Sequence, residues 1–91
     1  MPSEKAITAG IVRALRDRGA WVVKFHGSGY SRRGVPDLLV CHEGRFYGLE
    51  VKQPGGHVTP LQRHELKTIE AAGGAAAVVR SVEEALAVVA D

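Results

Sequence analysis

The chain has 91 residues, with 12 Lys and Arg against 10 Asp and Glu, and a formal net charge of +2. That length leaves room for one modest core, so residues 1–91 read as a single domain. Ordinary apolar content argues against disorder, and the lone Cys41 excludes a disulfide-stapled secreted scaffold. No apolar run approaches the roughly 18 residues that span a bilayer, and Met1 to Lys5 lack a signal core. The expected setting is therefore the cytoplasm, with no membrane partner.

Ser3 caps a first helix, with Glu4 in its first turn. Ile7, Ile11 and Leu15 recur at helical spacing with Val12 beside them, and Gly19 ends the helix. Ala20 to His26 is β-branched and aromatic, which predicts a strand with Trp21 and Phe25 on one core-facing side. Gly27 to Gly34 is a glycine-rich basic loop. Asp37 to His42 reads as a buried strand, Glu43-Gly44 as a turn, and Arg45 to Lys52 as a third strand paired with it in a hairpin.

After a second loop, Gln53 to Val58, Thr59 caps a helix with Pro60 at its first position and Gln62 closing a capping box. Leu61, Leu66 and Ile69 supply its apolar contacts and Gly73-Gly74 ends it. Ala75 to Arg80 is a fourth strand. Ser81 and Glu84 form another capping box, opening a last helix with Val82, Leu86 and Val89 inward. The expected order is αβββαβα, an α/β domain with a central mixed four-stranded sheet flanked by helices.

The chemistry is concentrated in Pro36-Asp37 and Glu50-Val51-Lys52. Side chains two apart on a strand share a face, so Glu50 and Lys52 point together. Asp37 opens the preceding strand of the same hairpin, so it can converge with Glu50 at one sheet end. Two carboxylates and the Val51 backbone carbonyl are hard oxygen donors of the kind Mg²⁺ or Mn²⁺ accepts. Such an ion, with a lysine beside it, can assist water attack on a phosphodiester and stabilise the charge that develops.

These residues resemble the P-D…(D/E)-x-K nuclease superfamily, most closely its virus-type replication-repair nuclease (VRR-NUC) branch. The resemblance runs from Glu4 to about Gly74. It includes Ser3-Glu4-Lys5, the loop Ser31 to Leu38, Gly48 to Lys52, and Thr59-Pro60-Leu61-Gln62. It implies a restriction-endonuclease-like core. Asp37 and Glu50 become metal ligands with the Val51 carbonyl, and Lys52 the catalytic lysine. Glu4 becomes the first-helix acid that holds a water or a second ion. Gln62 becomes the polar residue that supports Lys52 or touches the scissile phosphate.

The implied activity is a Mg²⁺- or Mn²⁺-dependent endonuclease with no small-molecule cofactor. Its DNA substrate would be branched, as in a Holliday junction, or duplex. The implied context is replication, recombination or repair in a bacterial or phage-infected cell, and a homodimer would present two sites to a branched substrate.

Lys24, Tyr30, Arg32, Arg33 and His57 are candidates to touch nucleic acid, Tyr30 by stacking on a base. Lys5, Arg13, Arg16, Arg18, Lys24, Arg32 and Arg33 crowd the first third of the chain, a surface that could follow phosphates or simply be solvated. His26, His42, His57 and His64 lack zinc-like spacing. Two alternatives to the nuclease remain: a nucleic-acid-binding module that does not cut, and a small α/β interaction protein whose charges pair at the surface.

Overall fold

Helix α1, Glu4–Asp17, begins where Ser3 Oγ accepts the Ala6 N–H at 3.1 Å. It ends at Gly19, whose φ of +87° suits a residue without Cβ. Its apolar stripe, Ile7, Ile11, Val12 and Leu15, is buried as the spacing predicts. Residues 2–26 and 32–90 are described in this computed structural model.

Four strands follow the expected order: β1 Trp21–Lys24, β2 Leu38–His42, β3 Arg45–Val51 and β4 Ala75–Val79, with α2 Pro60–Ala71 and α3 Val82–Val88. They form one mixed sheet ordered β1-β2-β3-β4. The first three strands are antiparallel and β4 lies parallel to β3. The hairpin turn puts Glu43 and Gly44 at φ of 51° and 77°, the paired positive values that a tight two-residue hairpin requires. Among the described residues, no helix is long and apolar enough to cross a membrane.

One sheet face carries Val22, Leu38, Val40, Tyr47, Leu49, Val51 and Val79, which form the core with α1 and with Ala85 and Val89 at the last helix. Helix α2 packs instead on β3 and β4. Gly48 permits its approach: a Cβ there would lie 2.6 Å from Ile69 Cδ1 and 3.1 Å from Pro36 Cγ.

Three expectations need correction. Strand β1 ends at Lys24 rather than His26, because its partner β2 starts only at Leu38, after Pro36. Trp21 is 57% exposed instead of buried, and Phe25 lies beyond the strand, half-buried. The reason is tertiary: β1 is an edge strand, and α2 packs over the β3–β4 half of the sheet. Leu61, expected to pack inward, is half exposed on the first turn of α2. Its backbone is what makes contact, against Gly34.

Candidate active site

The register of the hairpin builds the site. Leu38 pairs with Leu49, so one step outward sets Asp37 opposite Glu50. Asp37 Oδ2 accepts the Val51 N–H at 2.8 Å, which fixes the carboxylate against the third strand. Glu50 is only 1% exposed. Its Oε2 accepts from Gln62 Nε2 at 3.2 Å and lies 3.8 Å from Lys52 Nζ. Its other oxygen, Oε1, is buried with no hydrogen-bond partner.

A buried carboxylate facing another carboxylate resists ionisation. Burial is the main reason that Glu50 is pushed up from 4.5 to about 8, and the Asp37 carboxylate beside it adds to the shift. Lys52 pulls the other way, and Glu4 contributes a further small push upward. Near neutral pH the pair therefore favours a bound proton or a cation.

Gln62 reaches the site because α2 is capped. Thr59 Oγ1 accepts the Gln62 N–H at 3.2 Å, and Gln62 Oε1 accepts the Thr59 N–H at 2.9 Å. The amide thus spends its oxygen on the cap and its nitrogen on Glu50. Its contact is with Glu50 rather than with Lys52. Gly34 itself lies close against this helix: at φ +83°, a Cβ would meet Leu61 C and O at 2.7 Å.

The remaining candidates are more dispersed. Glu4 and Asp37 line one cleft of about 320 Å³ together with Lys5, Thr8, Lys24, Phe25 and His26. Among the described residues no group of three or more His, Cys, Asp or Glu side chains gathers as a metal site. Arg32 pairs with Glu65 at 2.8 Å, tying the basic loop to α2. Arg33 and His57 are exposed. Tyr30 lies outside the described residues.

A family model described as the archaeal Holliday junction resolvase (Hjc) matches residues 5–84. The chain belongs to the Hjc family. No curated protein matches it. Among solved structures, a VRR_NUC domain is 25% identical, with a TM-score of 0.76 over 92% of this chain and 91% of its own. A second VRR_NUC domain protein is 17% identical and shares the fold at a TM-score of 0.79, over 96% of this chain and 84% of that one. Hjc of Archaeoglobus fulgidus, a Holliday junction resolvase from an archaeal hyperthermophile, is 19% identical. It superimposes with a TM-score of 0.66 over 82% of this chain and 65% of its own. This Hjc-family chain is thus a nuclease domain of the VRR-NUC, P-D…(D/E)-x-K type.

In this Hjc-family domain, two carboxylates with spare lone pairs could hold a hard divalent cation. The Val51 carbonyl and waters would complete the oxygen set, as Mg²⁺ commonly keeps several waters. The orphaned Glu50 Oε1 and the raised affinity of Glu50 for a proton fit such an ion. Two contacts escaped the sequence reading. The Val51 N–H, not only its carbonyl, serves the site, and Lys5 with His26 shares the cleft with Asp37. Strand register explains the first, since Val51 neighbours the residue opposite Asp37. The second depends on how α1 crosses the sheet, which no local pattern encodes.

Proposed function

We propose that residues 1–91 form a single-domain, metal-dependent endonuclease that hydrolyses DNA phosphodiester bonds, selective for Holliday junctions or other branched DNA. Its work would lie in replication, recombination or repair. The observation that carries the reading is Glu50, a buried carboxylate set opposite Asp37 with one oxygen unsatisfied and Lys52 alongside. An unpaired buried charge is costly unless a cation or proton completes it. Junction selectivity rests on membership of a resolvase family.

Asp37, Glu50 and the Val51 carbonyl would hold Mg²⁺ or Mn²⁺, with Glu4 on the same cleft orienting water. Bound there, the ion supplies Lewis-acid chemistry, polarising phosphate oxygens and making water acidic enough to attack. Lys52 places an ammonium beside Glu50, where it can neutralise charge building on the phosphate oxygens. Gln62 holds the Glu50 carboxylate in orientation through its amide. Arg33, His57 and Tyr30 would meet the flanking DNA, and Arg32 would do so on leaving Glu65.

A homodimer belongs to the same proposal. A four-way junction offers symmetric strands, and a two-fold pair of chains matches them with two sites. Support comes from an uncovered sheet face on which Trp21, Cys41 and Phe46 align by register, Trp21 and Phe46 being 57% and 40% exposed.

The test is cleavage of four-way, flapped, duplex and single-stranded DNA by the purified chain, with Mg²⁺, Mn²⁺ or chelator, beside Asp37→Ala. Metal-dependent cutting of branched DNA that vanishes in the variant is expected. Tight binding without cutting would move the reading to a binding module. Neither binding nor cutting would leave an interaction protein.

A further inference from the structure

Helix α1 shows a second stripe beside its buried one. Glu4, Lys5 and Thr8 line the active-site cleft, and Ala9, Val12, Arg13, Arg16 and Asp17 line a neighbouring cleft of about 470 Å³. These positions succeed one another at helical spacing along one side of α1. Lys24, at the end of β1, borders both clefts and joins them into one groove.

The charges along this groove are ordered. Within α1 the acids stand only at the two ends, Glu4 in the site and Asp17 at the far rim. Between them the groove presents Lys5, Arg13, Arg16 and Lys24. Arg16 is held in place, its Nη2 donating to the Val22 carbonyl at 2.9 Å, while Arg13 and Lys24 are exposed. From Lys5 to Arg16 the helix rises about 16 Å at roughly 1.5 Å per residue. One strand of duplex carries a phosphate about every 3.4 Å along the axis while winding around it, so a groove of this length can meet more than one phosphate of a single strand.

We propose that this α1–Lys24 groove is a phosphate track. It would seat the DNA strand leading away from the scissile position, with Arg13 and Lys24 as its main backbone contacts and Arg16 as a fixed third. The proposal rests on the nuclease reading and deepens it by naming the face of the protein that holds the substrate. It assigns positioning residues, whose effect falls on binding rather than on the chemical step. Phosphate contacts are indifferent to base sequence, so the track serves any DNA that presents a helical arm.

The experiment compares wild type, Arg13→Ala/Lys24→Ala, and a control of equal charge change, Arg45→Ala/Lys67→Ala. Arg45 stands at the hairpin end away from Asp37, and Lys67 is exposed on α2. Binding of a labelled four-way junction is measured in chelator across a salt series, and cleavage kinetics are measured in Mg²⁺. The track predicts a salt slope shallower by about 1.8 for the groove variant, since each lost phosphate contact removes about 0.9. The control should keep the wild-type slope. The groove variant should raise KM with kcat nearly unchanged.

Equal weakening in both doubles would mean a diffuse charge effect and overturn the track, as would a groove variant that binds like wild type. A wild type that neither binds nor cuts DNA would instead overturn the nuclease reading beneath it.

Discussion

Glu50 keeps its carboxyl buried between the sheet and Gln62, with Asp37 opposite and Lys52 3.8 Å from one oxygen. Its tendency to stay protonated has a stability consequence. Unfolded, it ionises near 4.5; folded and metal-free, only near 8. Between those values the folded state binds the extra proton, so this group's stabilisation is full below 4.5 and is lost as pH rises toward 8. Metal-free protein should therefore show a melting temperature that declines from pH 5 to pH 8. Glu50→Gln should flatten that decline, because a neutral amide has no proton to lose. Calorimetry across pH, with and without Mg²⁺, checks both, and the stabilisation by Mg²⁺ should grow with pH as proton competition fades. A pH slope unchanged in the Gln variant would remove Glu50 as its source. Lys52→Ala is expected to lower kcat by about 10²–10³-fold, the range seen when one charge-stabilising donor is removed. Junction affinity should change little, and single-turnover assays beside binding curves separate the two.

Helix α2 is the element that completes the site. Its N-terminal cap aims Gln62 at Glu50, and its seating on the sheet depends on Gly48 beneath Ile69. Gly48→Val should overpack that contact, costing about 1–3 kcal/mol by the usual penalty for inserting methyl groups into a filled interior. Because the helix must lift, the Gln62–Glu50 contact should loosen as well. Thermal melts would then fall together with cleavage rate, whereas a fall in stability with full activity would show that α2 position is not limiting. Gly34 lies close against the helix from the other side, where any Cβ would strike the Leu61 backbone. Two glycines without side chains thus set the distance between the carboxylates and their supporting amide.

At the scale of the whole molecule, helices cover the sheet unequally. Helices α1 and α3 close one face, while α2 packs on β3 and β4 and leaves Trp21, Val23 and Phe46 at 57%, 38% and 40% exposure. A contiguous apolar face of this kind is costly to leave in water and favours association. Sedimentation at micromolar concentration should give a dimer, and Trp21→Glu should shift it toward monomer without unfolding it. If wild type sediments only as a monomer, the homodimer is wrong and symmetric junction cutting needs another explanation. The mass of the species on a bound junction would then decide whether DNA recruits the second copy.

The sequence by itself determined the order of elements, the Thr59–Gln62 capping box, the Ser81 cap of α3, the core stripe of α1 and the hairpin that brings Asp37 toward Glu50. Each of these depends on local spacing: helical repeats, strand alternation, turn residues and caps act within a few positions of one another. The second half of the expected Ser81–Glu84 box is not formed, because Glu84 Oε1 accepts the Arg80 N–H at 2.8 Å instead. Trp21 shows the limit, since its β-forming character says strand but not edge. Whether a strand face is covered depends on where a helix far along the chain comes to rest. The same holds for the site. Gln62 was legible as a cap, but its amide on Glu50 exists only because α2 settles over Gly48. The tertiary structure alone decided which face stays open, which cations share a groove, and that Glu50 is buried enough to resist ionisation, because burial and long-range electrostatics arise only when distant segments exclude water together.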